Sequence, residues 1–149
     1  MAMLIPNEGE IQLLTDLLSG GSLENWSLRL FKADITPAET DTAATYTAQE
    51  ATFSSYTAKT LTRSVSGSTW STPVSQAPSG SWSAEAACAY SAYGSSPQSW
   101  TCGATGNTIY GYFITGATSG KLIGVEKFTT ARTLVSGDTL SLTPVFESA

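Results

Sequence analysis

Trp26-Ser27-Leu28-Arg29-Leu30-Phe31-Lys32 is the stretch on which the fold turns. Trp26, Leu28 and Leu30 alternate with Ser27, Arg29 and Phe31, the period of two that sends successive side chains to opposite sides of a strand. A strand from Trp26 to Lys32 with one inward face is therefore expected. The same kind of segment recurs downstream at Tyr56 to Val65, Thr69 to Val74, Trp82 to Ser91, Gln98 to Cys102, Thr108 to Thr115, Leu122 to Phe128 and Thr139 to Phe146. Gly and Pro clusters separate most of them. Gly116-Ala117-Thr118-Ser119-Gly120 reads as a hairpin loop, and Ser136-Gly137-Asp138 supplies turn chemistry ahead of the last strand. Eight strands with such signals predict an all-β chain, an antiparallel two-sheet sandwich of jelly-roll-like type.

Upstream of Trp26 the period changes. Asn7-Glu8-Gly9-Glu10 fits an N-cap with an acid three residues on, and Ile11, Leu14, Leu17 and Leu18 then share one helical face before Gly20-Gly21. One short helix, Glu8 to Ser19, is expected, its apolar face either covering a sheet end or meeting a partner. With the apolar Met3, Leu4 and Ile5 before it, it forms an N-terminal arm and helix over residues 1–21. Asp34 to Ala51, with its Thr36-Pro37-Ala38-Glu39-Thr40-Asp41-Thr42 run, has no apolar period and reads as a long surface loop, functional or mobile.

Composition agrees with a strand-rich fold and narrows the function. At 149 residues the chain suits a single domain, 1–149, and its 21 Ser and 22 Thr outnumber its charged residues. Those make up 13%, about half the roughly 25% usual in soluble proteins. A hydrophobic content of 41% argues against disorder, and a net charge of −5 against a grip on nucleic acid phosphates. Histidine is absent, which removes the usual general base near neutral pH and every Ser-His or Cys-His dyad. Met-Ala-Met-Leu-Ile-Pro lacks a basic n-region and no stretch reaches membrane-spanning length, so synthesis in the cytoplasm, with no membrane partner, is expected.

Between Arg63 and Lys121 lie 57 residues of which only Glu85 is charged. Either the outer faces there are Ser and Thr, or neighbouring subunits cover part of that surface, since interface cores are poor in charge and rich in Tyr and Trp.

Candidate sites are few. Pairing Trp82 to Ser91 with Gln98 to Cys102 as a hairpin would set Tyr90 opposite Trp100 and bring Cys88 near Cys102, as a disulfide or as two buried thiols. Asp34, Glu39 and Asp41 offer oxygen ligands without the spacing of a calcium loop, and solvated acids are the better account. Glu85 and Glu126 are the strand-borne carboxylates nearest to a glycosidase pair, yet nothing in the sequence unites them, and Glu126 beside Lys127 reads as half of an exposed ion pair. Gly116 to Lys121 departs from a phosphate loop in spacing and has Leu122 where Ser or Thr belongs. No S-x-x-K or G-x-S-x-G pattern appears. Trp70, Trp82, Trp100, Tyr90, Tyr93, Tyr110 and Tyr112 could stack on sugars, but their alternation in strands favours core packing. Asn25-Trp26-Ser27 matches a glycosylation acceptor and carries no weight without a secretion signal. No enzyme activity, cofactor or metal is expected.

Ile5-Pro6-Asn7-Glu8-Gly9-Glu10, Ile35-Thr36-Pro37-Ala38-Glu39-Thr40-Asp41, Tyr56-Thr57-Ala58-Lys59-Thr60-Leu61-Thr62, Ile109-Tyr110-Gly111-Tyr112-Phe113 and Gly137-Asp138-Thr139-Leu140 give a pattern spread over most of the chain. It resembles the small β-sandwich capsid decoration or cement proteins of tailed phages. The resemblance implies a homo-oligomer, often a trimer, that sits on the major capsid protein at the virion surface and stabilises the shell. It carries over no catalytic residue. Met3, Leu4, Ile5, Leu14 and Leu18 are the residues expected to meet a partner. A receptor- or carbohydrate-binding tip of a tail fibre is the alternative, and would need solvent-exposed aromatic faces.

Overall fold

The computed structural model describes residues 3–19, 23–63, 70–77, 87–94 and 96–148. The alternation at Trp26 becomes β1 (Trp26–Phe31), with Trp26, Leu28 and Leu30 buried on one side. Phe31, on the opposite side, is buried as well, so both faces of this sheet are covered. β1 lies between β2 (Lys59–Leu61) and β6 (Thr108–Gly116), and β7 (Leu122–Thr133) closes a sheet of order β2-β1-β6-β7. Trp26, Leu28, Leu30, Leu61, Ile114 and Ile123 belong to the main core on one face. Phe31, Tyr46, Phe113, Leu122 and Val125 form a second cluster on the other.

A three-stranded sheet, β3 (Val74–Gln76), β4 (Cys88–Ala92) and β9 (Val145–Ser148) in the order β3-β4-β9, and a pair, β5 (Gln98–Thr101) with β8 (Thr139–Leu142), complete the architecture. All pairings are antiparallel. Tyr93, Trp100, Cys102 and Leu140 from this part of the chain enter the main core, with Trp70 and Phe146 packed against it. The result is an all-β, sandwich-like fold with one substantial helix, α1 (Asn7–Leu18).

Several local expectations are corrected. The segment Thr139 to Phe146 is two strands in two sheets, because Pro144 has no N–H to give a ladder and its carbonyl instead accepts from Tyr93 N at 3.0 Å. Nine strands are therefore present among the described residues, in place of eight. β4 pairs with β3 and β9, and β5 with β8, so Tyr90 faces Val74 and Glu147, and Trp100 faces Leu140. The expected β4–β5 hairpin does not form. Trp82 and Glu85 lie outside the described residues.

Asp34 to Ala51 is not a loose loop. It contains a short helix, α2 (Ala43–Thr47), whose Tyr46 is fully buried with ring centroids 5.2 Å from Phe31 and 5.6 Å from Phe113. The Tyr46 hydroxyl donates to Asp41 Oδ2 at 2.7 Å, and the same oxygen accepts from Ala38 N at 2.9 Å. This segment roofs the outer face of the four-stranded sheet. The Gly116–Gly120 turn does form the β6–β7 hairpin, with Gly120 at φ +67° and the Glu24 carboxylate accepting from Thr118 N at 2.6 Å and Ser119 N at 2.9 Å.

Candidate binding surfaces

α1 starts at Asn7 rather than Glu8. Pro6 occupies the N-cap, and its carbonyl accepts from Gly9 N at 2.8 Å and Glu10 N at 3.0 Å, while the Asn7 side chain caps nothing. Two carboxylates fasten the helix to the body. Glu8 accepts from Leu122 N at 2.9 Å, Ala43 N at 3.1 Å and Lys121 Nζ at 3.2 Å. Burial works against its charge, yet these three donors hold its pKa below the ordinary carboxylate value. Asp16 pairs with Arg63 at 2.8 Å and accepts from Gln12 Nε2 at 2.8 Å, and the Arg63 hydrogen bond chiefly lowers its pKa too. Gly9 permits the close approach, since a Cβ there would lie 2.5 Å from the Ile123 carbonyl oxygen.

This docking turns Gly9, Leu13 and Asp16 inward and the apolar row outward. Ile11, Leu14, Leu17 and Leu18 are 66, 55, 76 and 76% exposed, and Leu23 beyond the helix is exposed as well. Of the two expectations for this face, covering the chain's own sheet end is thus overturned. Met3 is buried in the chain's own core against Gly124. Leu4 adds to the β7 edge through Leu4 N to Val125 O at 2.8 Å and Val125 N to Leu4 O at 2.9 Å. Leu4 and Ile5 are half-buried, and Leu14 and Leu18 stand free of the fold.

Behind α1 lies an aromatic box. Trp26 meets Trp70 edge-on at 5.6 Å and Phe146 at 5.1 Å, and Trp70 meets Tyr93 at 5.2 Å. The Arg63 guanidinium covers the Trp26 ring at 4.4 Å. Trp26, Arg63, Trp70, Ser91 and Phe146 line a cavity of about 180 Å³. The indole N–H groups of Trp26 and Trp70 are themselves inaccessible and have no hydrogen-bond partner, an omission that costs about 1–3 kcal/mol per group. Trp100 shows the ordinary solution, its Nε1 donating to Thr57 O at 2.7 Å. Next to this cavity is another of about 280 Å³, lined by Ile5, Leu13, Pro73, Ala89, Phe146 and Glu147 among others. Ser91 and Phe146 line both.

Glu126 is brought near Glu147, a residue the sequence pattern did not single out. Tyr112 OH donates to Glu126 Oε2 at 2.6 Å, and its oxygen also takes a backbone hydrogen bond from Val145, linking the two larger sheets. Burial raises the Glu126 pKa, the Tyr112 hydrogen bond offsets part of this, and the Glu147 charge adds to the rise. Lys127 does not pair with Glu126 as expected but with Asp34, at 2.5 Å. Two of the three acids weighed as cation ligands and read as solvated are engaged by neighbours: Asp34 by Lys127 and Asp41 by Tyr46 and Ala38. Among the described residues no cluster of three His, Cys, Asp or Glu is placed to hold a metal. Cys88 and Cys102 are buried free thiols.

Of the aromatics considered for sugar stacking, Trp100, Tyr93 and Tyr112 are buried and Trp70, Tyr90 and Tyr110 half-buried. None of these six is fully exposed. A larger groove of about 520 Å³ between the end of β7 and β8, lined by Arg132, Thr133, Asp138 and Leu140 among others, holds none of the buried unpartnered groups. No helix among the described residues is long and apolar enough to cross a membrane. Comparison of the chain with protein families, with curated proteins and with solved structures found no match.

Proposed function

We propose that this chain is a non-enzymatic structural protein that decorates and stabilises the outer surface of a tailed-phage capsid, working as a homo-oligomer. The observation that carries the proposal is the outward apolar row of α1, Ile11, Leu14, Leu17 and Leu18, on a helix fastened to the body by Glu8 and Asp16. An amphipathic helix normally spends its apolar face on its own core. Here that face stays exposed beside the described residues, and exposed apolar patches of this kind mark interaction sites.

The charge-poor stretch from Ser64 to Gly120 and the resemblance to decoration proteins support the same reading. The resemblance implies a trimer, with the major capsid protein as the second partner. On a lattice each contact can be modest, since many copies act together. The test is to mix purified protein with undecorated phage shells and examine them by electron microscopy and heat challenge. Regular density on the outer surface and greater heat resistance are expected. Bare shells of unchanged heat resistance, with labelling of host cells instead, would overturn the proposal in favour of a receptor-binding tip.

A further inference from the structure

The groove of about 520 Å³ between the end of β7 and the start of β8 falls within the roughly 300–1,000 Å³ of small-molecule sites. Arg132, on its β7 wall, lies directly opposite Ile109 and so on the core-facing side of the four-stranded sheet, where β5 and β8 pack through Trp100 and Leu140. Six of the seven basic side chains are engaged: Arg29 with Glu50, Lys32 with Thr52, Lys59 over the Trp100 ring, Arg63 with Asp16, Lys121 with Glu8 and Lys127 with Asp34. Among the described residues, exposed Arg132 is the one cation with no ion pair, hydrogen bond or ring contact. Asp138 lines the same groove without pairing with it. The turn between the strands holds this acid in place: Asp138 Oδ2 accepts from Val135 N at 2.9 Å, its carbonyl accepts from Cys102 N at 2.8 Å, and Gly137 takes φ +91°. Beside it, Thr139 and Ser141 are hydrogen-bonded to the Thr101 and Ser99 hydroxyls at 3.1 and 2.7 Å. Each hydroxyl pair shares one hydrogen between its oxygens and keeps the other to donate.

We infer that this groove binds a sugar acid, a hydroxylated ring bearing one carboxylate, with the carboxylate on Arg132 and ring hydroxyls on Asp138, Thr139 and Ser141. A guanidinium only donates, and its fork matches a carboxylate. Ionised Asp138 only accepts, so the ligand must bring a donor to it, which a sugar hydroxyl does and a bare carboxylate does not. The Asp138 charge also opposes a dianion such as phosphate. A neutral sugar leaves the Arg132 charge unused, and no aromatic ring lines the groove to give it a stacking face. The ion pair with Arg132 takes the place of that missing stack.

This inference stands apart from the assembly role, since α1 docks at Leu122 and Ile123, at the start of β7, and the groove lies at its end. The test is to titrate the intact, nitrogen-15-labelled chain with sodium glucuronate and follow the backbone amide resonances. Saturable shifts centred on residues 131–134 and 138–141 are expected. Glucose, sodium acetate and inorganic phosphate should each shift them roughly tenfold less at equal concentration, and Arg132→Gln should weaken glucuronate binding by roughly tenfold or more at an unchanged thermal midpoint. Asp138→Asn keeps an oxygen for the Val135 amide and removes the opposing charge, so it should narrow the gap between glucuronate and phosphate. No saturable shift up to the solubility of the salt, an equal response to acetate, glucose or phosphate, or full binding by Arg132→Gln would overturn the inference.

Discussion

On β6, Ile109 and every residue from Gly111 to Gly116 are buried, whereas on β4 only Cys88 is, and on β3 Val74 and Ser75 are exposed. The four-stranded sheet has hydrophobic cover on both faces, from the main core and from the Tyr46 roof. The three-stranded sheet borders two cavities and has short strands. The difference separates two tasks. Rigidity is concentrated in β1, β6 and β7, and the apolar features suited to meeting other molecules gather at the α1 end, where packing is incomplete.

Truncating a side chain in each region should expose this contrast most strongly. Phe113→Ala empties the second cluster and is expected to cost about 3–5 kcal/mol in urea unfolding. Val74→Ala, at an exposed position of β3, should stay within about 0.5 kcal/mol. Comparable losses from the two would break the comparison. Tyr112→Phe probes the seam between the regions, since that hydroxyl joins Glu126 on β7 to Val145 on β9. Its removal should cost about 1.5–3 kcal/mol, the range of a hydrogen bond to a charged group. An unchanged urea midpoint would show that the seam is held by apolar packing alone.

Acid provides a gentler probe of the α1 end. Glu8 and Asp16 both have pKa values below their ordinary 4.5 and 3.8. Their contribution to holding α1 is therefore fully present above those values and is lost as pH falls through the lowered ones. Backbone amide exchange should show α1 loosening in that window while β6 stays protected. Simultaneous loss of both would mean that the helix and the sheet form one cooperative unit.

How legible this was in the sequence differs by region. β1 and the β6–β7 hairpin follow from the alternation at Trp26 and the Gly116–Gly120 turn, because local pattern and final pairing coincide there. The Tyr46 roof was hidden, since a single aromatic in Ala43-Ala44-Thr45-Tyr46-Thr47 does the burying and one residue has no period. The β4–β5 hairpin was misread because neighbours in sequence went to different sheets, and Pro144 was the overlooked sign that the last strand divides. For α1 the apolar row is legible in the sequence, which leaves its direction open between the chain's own sheet and a partner. Gly9, with no side chain to register in any hydrophobic pattern, sets the close contact with β7 and turns the leucines outward. The Trp26–Trp70 cavity needed coordinates, as no spacing reveals which indole N–H lacks an acceptor.

The central claim, that the outward row of α1 is an assembly face, is tested most directly by sedimentation velocity of the intact chain and of a Leu14→Glu/Leu18→Glu variant over a range of concentrations. Both side chains are exposed, so the change should move unfolding by no more than about 0.5 kcal/mol per site. The account expects a concentration-dependent oligomer for the intact chain and a monomer of equal thermal midpoint for the variant. A chain that stays monomeric at every concentration, or a variant that assembles as well as its parent, would contradict it.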